Sequence, residues 1–267
     1  MAPATIWLLE QLAEQGIQAT FFVVGELACD QPELVKEIHR AGHELASHGW
    51  DHRRVHHFTP QAFREDLRRS KEVLEDLTGA PVLGYRAPTF SVVRQTAWAL
   101  DVLVEEGMIY DSSIYPVRHD RYGVPEAPRG PFLARGAAET ILELPPATLR
   151  LLRANLPVGG GGYFRLLPLG VLEHALAQTA RETDPAVVMF YFHPWEFDSR
   201  QARLPLRMLS GFRTYVGIHR TRPRLARFIS RRPQGTFARA IDVARSLRCQ
   251  SLPSFTLGRQ VPAGRGL

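Results

Sequence analysis

Short apolar runs alternate with amphipathic stretches along most of the chain. The runs are rich in β-branched and aromatic residues and predict strands at residues 20–24, 44–47, 82–85, 108–110, 141–144 and 187–192. Apolar positions at helical spacing predict helices at residues 4–15, 30–41, 59–79, 94–106, 169–180 and 236–247. Strands that alternate with helices are typical of βα units with a parallel sheet. The pattern therefore predicts an α/β protein.

Two of these helices have recognisable start signals. Thr59 precedes Pro60 at the start of the longest helix, and Gly79 follows its last turn. Asp30, with Glu33 three residues later, matches a capping box at the start of another helix. We therefore expect these helices to begin close to Pro60 and to Asp30.

Ionisable residues follow four of the predicted strands. They are His48, with His52 four residues later, then Arg86, Asp111 and His193. In a barrel of parallel strands the carboxyl ends of the strands meet at one rim, where active sites are built. The sequence therefore predicts a catalytic site made from these five residues.

Each of the five also has a purely structural interpretation. Two imidazoles four residues apart can bind one metal ion if the segment turns helically. The alternative, that this pair lies on the surface or at a helix cap, stays open. Arg86 can be a surface residue, and Asp111 a cap or turn residue. His193 ends the most hydrophobic run, and a core histidine bonded to a carbonyl is its structural alternative.

Three further residues are candidates for contacting a substrate. They are Trp195, Tyr115 and Pro88. Tryptophan and tyrosine rings stack on sugars, but a tryptophan such as Trp195 is more often a packing residue. The contact with substrate is therefore a hypothesis that depends on exposure.

Composition narrows the class of protein only slightly. The chain has 267 residues, of which 45% are hydrophobic and 22% are charged, as in ordinary globular proteins. Its net charge of +6 raises nucleic-acid binding as an alternative, but no helix-turn-helix, zinc-finger or RNA-binding signature accompanies it. Two cysteines form no disulfide framework or metal-ligand spacing.

The hydropathy pattern also bears on location. No apolar stretch approaches the roughly 18 residues that cross a bilayer. Residues 1–16 lack a basic segment, and Glu10 interrupts their apolar run, unlike a signal peptide. We therefore expect no transmembrane segment and a cytoplasmic protein, with its oligomeric state open.

Taken together, four segments resemble the motifs of the polysaccharide deacetylase family. The family's His-x-x-x-His motif is similar to residues 48–52, and its Arg-x-Pro motif to residues 86–88. Its later Asp motif is similar to residues 111–113, and its histidine motif to residues 192–195. The order is the family's order, and the resemblance spans essentially the whole chain. It implies an irregular (β/α)7 barrel, which is TIM-like.

A closer resemblance is to the exopolysaccharide deacetylases encoded with exosortase and PEP-CTERM systems. It rests on residues 160–168, 193–198 and 212–216. It implies a catalytic core over residues 1–198, with an insertion around residues 117–167. Residues 199–267 then correspond to an extension particular to the subfamily.

The resemblance implies a role for each candidate residue. His48 and His52 would bind Zn²⁺ or another divalent metal ion, and Arg86 would orient a carboxylate base. His193 would donate a proton to the leaving amine, with Asp111 holding its imidazolium. The reaction would remove N-acetyl groups from the amino sugars of a polysaccharide and release acetate.

The start of the chain departs from the family pattern. The family opens with a strand that ends in Asp-Asp or Asp-x-Glu-Asp, which supplies the base and the third metal ligand. Here a helix is predicted first, and Asp30 is the first aspartate. The expectation is a chain truncated before this helix, lacking the first strand of the barrel and impaired in activity.

Two other functions stay open. One is a glycan-binding relative without catalysis, and the other is a C–N hydrolase of the same fold that acts on a small amide.

Overall fold

Helices and short strands alternate along the chain in the computed structural model, which describes residues 2–119, 121–206 and 208–258. The strands are β1 Thr20–Val23, β2 Glu44–Ser47, β3 Gly84–Tyr85, β4 Tyr110–Asp111, β5 Phe132–Arg135, β6 Thr140–Glu143, β7 Thr148–Leu151, β8 Ala154–Pro157 and β9 Ser254–Thr256. The α-helices are α1 Ala2–Glu14, α2 Gly25–Asp30, α3 Pro32–Arg40, α4 Pro60–Thr78, α5 Trp98–Glu105, α6 Gly161–Leu166, α7 Leu169–Glu182, α8 Met208–Tyr215, α9 Thr221–Ser230 and α10 Ala240–Leu247. The predicted alternation is confirmed as far as β4, after which β5 to β8 follow one another without an intervening α-helix.

The main sheet has seven strands in the order β1-β2-β3-β4-β6-β5-β9. All of its neighbouring pairs are parallel except β5 and β6, which form an antiparallel pair. In register, Ser47 pairs with Tyr85, Tyr85 with Asp111, and Asp111 with Glu143. The carboxyl ends of β2, β3, β4 and β6 therefore lie level at one edge of the sheet, as the site prediction requires.

The predicted strand at residues 187–192 is only partly formed. It makes two isolated parallel bridges, Met189 with Pro146 and Tyr191 with Gly160. The prediction of a regular strand is wrong there, because no continuous ladder of hydrogen bonds supports it in the described part of the chain. The segment is extended and still carries His193 at its end.

Local sequence explains where α4 begins and ends. Thr59 accepts a hydrogen bond from the Ala62 N–H at 3.2 Å, and Pro60 occupies the first turn. Gly79 takes a left-handed conformation with φ of 68° just after the helix, as many helix ends require. Both predicted signals are confirmed.

The capping box predicted at Asp30 is wrong. Asp30 is the last residue of α2, and Gln31 precedes α3 without a side-chain capping bond. Pro32 begins α3, and a proline disfavours helical backbone in the residue before it. Two short helices therefore meet where a single start was predicted.

The hydrophobic core joins the two predicted regions of the chain. One cluster of buried residues draws on α1, α6, α7 and α9, and contains Ala4, Phe164, Leu172, Ala175, Leu225, Phe228 and Ile229. A second cluster packs α10 against β4 and β6. The boundary at residue 198 stays a prediction, but residues on its two sides share both clusters.

No helix in the described ranges is long and apolar enough to cross a lipid bilayer.

Candidate active site

A sharp loop after β2 brings His48 and His52 together. Gly49 has φ of 76° and His52 has φ of 62°, so the loop turns through left-handed backbone and not through the helical turn considered from the sequence. The Trp50 N–H donates to Asp66 Oδ2 at 3.0 Å, which ties the loop to α4. The two imidazole centroids lie 5.0 Å apart. The predicted pair is therefore assembled, by a different local geometry.

The His48 ring has a defined orientation. Its Nδ1 lies 2.6 Å from the Arg86 carbonyl oxygen. Because a carbonyl only accepts hydrogen bonds, Nδ1 carries the proton and Nε2 keeps its lone pair. Desolvation lowers the pKa of His48 to about 3, and it also lowers the pKa of His52. Both rings are therefore neutral at pH 7, the form in which imidazole binds metal ions.

Arg86 lies buried behind these rings at the end of β3. Its Nε donates to the Ser112 carbonyl oxygen at 3.0 Å, and its Nη2 donates to Ser112 Oγ at 2.7 Å. The guanidinium also lies 4.0 Å above the Phe22 ring. Burial lowers the pKa of Arg86 to about 10, which leaves it protonated at pH 7. The surface alternative for Arg86 is therefore wrong.

Asp111 and Glu143 form a buried carboxyl pair on neighbouring strands. Asp111 Oδ1 accepts bonds from the Ser112 N–H at 2.8 Å and from Ser113 Oγ, while Glu143 Oε1 accepts from the Ile114 N–H at 3.0 Å. Burial raises the pKa of both carboxyls. Asp111 Oδ2 and Glu143 Oε2 have no hydrogen-bond donor among the described residues. One proton held between the two carboxyls would satisfy both oxygens.

His193 stands at the same rim, with its side chain 48% exposed. Its Nδ1 lies 2.8 Å from Glu196 Oε1, and the Trp195 ring stacks beside it at 5.7 Å between centroids. Positive charge on His193 lowers the pKa of both His48 and His52, so the three imidazoles face one region. The described geometry thus joins two neutral histidines to a third that is paired with a carboxylate.

Comparison with known proteins agrees with this arrangement. Residues 3–104 match the family model described as polysaccharide deacetylase. Residues 112–242 match a model described as a domain of unknown function, DUF3473, which is typical of exopolysaccharide deacetylases. Residues 3–104 of this chain therefore form a polysaccharide deacetylase domain.

Named proteins and solved structures are similar to parts of this chain. The peptidoglycan-N-acetylglucosamine deacetylase of Listeria monocytogenes is 31% identical over 90 residues, which cover 34% of this chain and 19% of that protein. The peptidoglycan deacetylase of Helicobacter pylori is 32% identical over 107 residues, which cover 40% of this chain and 36% of that protein. The chain therefore matches well under half the length of either relative. Enzymes with these names are hydrolases.

Solved structures show the fold. The probable polysaccharide deacetylase of Pseudomonas aeruginosa PAO1 has a TM-score of 0.57 at 19% identity, covering 91% of this chain and 72% of that chain. An allantoinase has a TM-score of 0.59 at 20% identity, covering 92% and 72%. The predicted α/β fold, an irregular (β/α)7 barrel, is confirmed.

Two interpretations of Asp111 from the sequence need correction. The hydrogen-bond partner of the His193 ring is Glu196, whereas the sequence prediction gave that role to Asp111. Asp111 is fully buried and bonded to its own neighbours, Ser112 and Ser113. The helix-cap alternative for Asp111 is also wrong, because it ends β4. The spacing of Glu196, three residues after His193, is the signal that could have identified the true partner.

The predicted substrate contacts are likewise only partly supported. Trp195 is half-buried beside His193 and stays a candidate. Tyr115 is wholly buried, and its hydroxyl donates to the Ala147 carbonyl oxygen at 3.2 Å. Pro88 is buried as well. Tyr115 and Pro88 are therefore buried in this structure, and their contact with a substrate stays a prediction without support from exposure.

The donor atoms at the rim fit two positions of a metal site. His48 has the hydrogen-bonded Nδ1 and free Nε2 that are typical of metal-binding histidine, and His52 faces it. No cluster of three His, Cys, Asp or Glu side chains with metal-binding geometry occurs within residues 2–119, 121–206 and 208–258. The described residues therefore fit a metal ion through two ligands, and a third ligand is not among them.

Proposed function

We propose that this protein removes N-acetyl groups from the amino sugars of a polysaccharide by metal-dependent hydrolysis, releasing acetate. The observation that carries the proposal is that three histidines lie together at the rim in two different electrostatic environments. His48 and His52 are neutral and offer ring nitrogens, while His193 is hydrogen-bonded to a carboxylate. Hydrolysis of an amide needs activated water and a proton donor for the leaving amine, and these two states match those two needs.

His48 and His52 would hold Zn²⁺ or another divalent ion, which when bound lowers the pKa of water and polarises a carbonyl. The remaining steps belong to side chains of this chain. His193 would present its Nε2 proton to the amide nitrogen as the C–N bond breaks, so that the sugar leaves as a free amine and the acyl group as acetate. Trp195, stacked beside His193, would supply a flat apolar surface for the sugar ring.

Arg86 would stabilise negative charge in the site from its buried position behind the histidine rings. It is buried and protonated, and the Arg86 carbonyl accepts the Nδ1–H of His48. Its side chain would stabilise an anionic group at the rim by a charge-assisted interaction.

Metal binding and acetate release test this proposal together. Calorimetric titration with Zn²⁺ and acetate release from an N-acetylglucosamine oligomer would be measured for the wild type, His48→Ala, His52→Ala and His57→Ala. His57 lies exposed in the same loop and serves as the matched control. We expect the first two substitutions to weaken Zn²⁺ binding and to remove acetate release, with no change for His57→Ala.

Other outcomes would favour the alternatives. Glycan binding that is independent of metal, with no acetate release, would indicate a binding module. Hydrolysis of small amides in preference to the oligomer would indicate a C–N hydrolase with a different substrate. Acetate release that survives His48→Ala and His52→Ala would refute metal dependence.

A further inference from the structure

Glu196 lies between the exposed ring of His193 and a buried arginine. Its side chain is 1% exposed. Its Oε1 accepts the backbone N–H of His193 at 2.9 Å and lies 2.8 Å from the Nδ1 of the same residue. Its Oε2 is paired with Arg165 Nη1, and the Arg165 side chain is also 1% exposed. Both carboxylate oxygens are therefore engaged, one of them on the candidate proton donor.

The glycine run at residues 159–162 makes room for this carboxylate. A Cβ atom placed on Gly161 would lie 1.6 Å from Glu196 Oε2 and 1.9 Å from Oε1. A Cβ on Gly160 would lie 2.1 Å from the Tyr191 ring. Real Cβ contacts are never so short, so glycine at Gly161 is a condition for Glu196 to occupy this position. The glycine run thus leaves the space that the Glu196 carboxylate occupies behind His193.

Arg165 also links its ion pair with Glu196 to the C-terminal region of the chain through hydrogen bonds. Its Nε donates to the Val216 carbonyl oxygen at 3.1 Å, and its Nη2 donates to the Thr214 carbonyl oxygen at 3.1 Å. These carbonyls belong to the end of α8 and the residue after it. Three segments that the sequence resemblance singled out therefore meet at one buried ion pair.

A purely structural role explains this pair poorly. Burying two charges costs desolvation energy, and an apolar pair of similar volume is often as stable. The carboxylate also points at an exposed ring, where stability gains little from a fixed orientation. A carboxylate on Nδ1 has a defined chemical effect, since it fixes the ring and keeps the proton on Nδ1.

We propose that Glu196 is a positioning residue that fixes the orientation and tautomer of His193, with Arg165 holding Glu196 in place. The proposal rests on the proposed function, in which His193 donates a proton from Nε2. It assigns a task to the region matched as a domain of unknown function: residues 112–242 contain the proton donor, its carboxylate and the arginine. With the proton of the neutral ring held on Nδ1, the next proton binds at Nε2. This Nε2–H is then the one that is donated to the leaving amine.

Two substitutions test the proposal by different routes. Glu196→Gln keeps the size of the side chain but replaces the acceptor by an amide that can donate to Nδ1. Gly161→Ala removes no polar group but forces the carboxylate to move. The matched controls are Glu173→Gln, an exposed glutamate on α7, and Gly170→Ala, where an added Cβ meets nothing within 4 Å.

The decisive measurement is the tautomer of His193. It is read from nitrogen-15 ring spectra of histidine-labelled protein, with the His193 signals assigned by a His193→Gln variant. We expect the Nδ1–H tautomer in the wild type and in both controls, and a shift towards Nε2–H in Glu196→Gln. With the zinc-loaded protein, we expect kcat to fall roughly 10²–10⁴-fold in Glu196→Gln with KM nearly unchanged. Gly161→Ala is expected to lower kcat in the same direction.

Several outcomes would overturn the proposal. One is a wild-type tautomer in both variants, whatever their activity, because a loss of activity without a change at the ring would mean a structural role only. Another is an unchanged kcat in Glu196→Gln. If the wild type shows no acetate release while its tautomer depends on Glu196, the proposed function fails but the positioning of His193 stands. Failure of the proposed function and failure of the positioning proposal are therefore distinguishable.

Discussion

The buried pair of Asp111 and Glu143 makes the stability of the fold depend on pH, and replacing Glu143 by glutamine tests this directly. Burial raises the pKa of each carboxyl above its ordinary value. The folded protein therefore keeps a proton at a pH where the unfolded chain has already released it. By linkage, stability is complete below the ordinary carboxyl pKa and falls as the pH rises towards the raised value.

The size of the effect follows from the number of protons held. One proton retained only in the folded state costs about 1.4 kcal/mol per pH unit. Between pH 5 and pH 7 the shared proton should therefore lower the free energy of unfolding by up to about 3 kcal/mol. In Glu143→Gln the neutral amide can donate to Asp111 Oδ2 without a proton from solution, so this part of the pH dependence should disappear.

Urea unfolding at pH 5, 6, 7 and 8 measures the effect as a difference between the two proteins. Burial also raises the pKa of Glu44 and Asp66, but these groups are present in both proteins and cancel in the difference. Glu139→Gln, at an exposed site just before β6, controls for the loss of one negative charge. Parallel stability curves for the wild type and Glu143→Gln would refute the shared proton.

Two further predictions concern a buried side-chain hydrogen bond and the N-terminal cap of α4. Tyr110→Phe removes the donor to Glu44 Oε1 at 2.8 Å and leaves a buried acceptor without it, so we expect a loss of about 1–3 kcal/mol in urea unfolding. Thr59→Ala removes the cap of α4, and thermal unfolding should show a loss of about 0.5–2 kcal/mol, whereas Thr59→Ser should retain most of the stability.

The sequence predicted the architecture well where chemistry is local. The cap at Thr59 and the glycine after α4 are recognisable because capping depends on neighbouring residues only. The rim residues were found because they directly follow predicted strands, and parallel register brings strand ends level. Position along the chain was therefore enough to predict which side chains share an edge.

The sequence predicted pairings across the site less well. Glu143 was not predicted to pair with Asp111, because this depends on β6 lying beside β4 with β5 inserted between them in sequence. Burial of Tyr115 likewise depends on residues that pack over it from other segments, among them Phe90. Such contacts are set by tertiary packing, which hydrophobic periodicity does not encode.

The candidate site draws its parts from both matched regions of the chain. His48, His52 and Arg86 lie within residues 3–104, whereas His193 and Glu196 lie within residues 112–242. The regions are joined by the sheet register and by Arg86, which donates to the carbonyl and hydroxyl of Ser112. Because the metal-binding candidates and the candidate proton donor come from different regions, neither region alone contains the chemistry proposed for the site. On the proposed mechanism, residues 112–242 therefore supply the proton donor and its carboxylate to the same site as the metal-binding candidates.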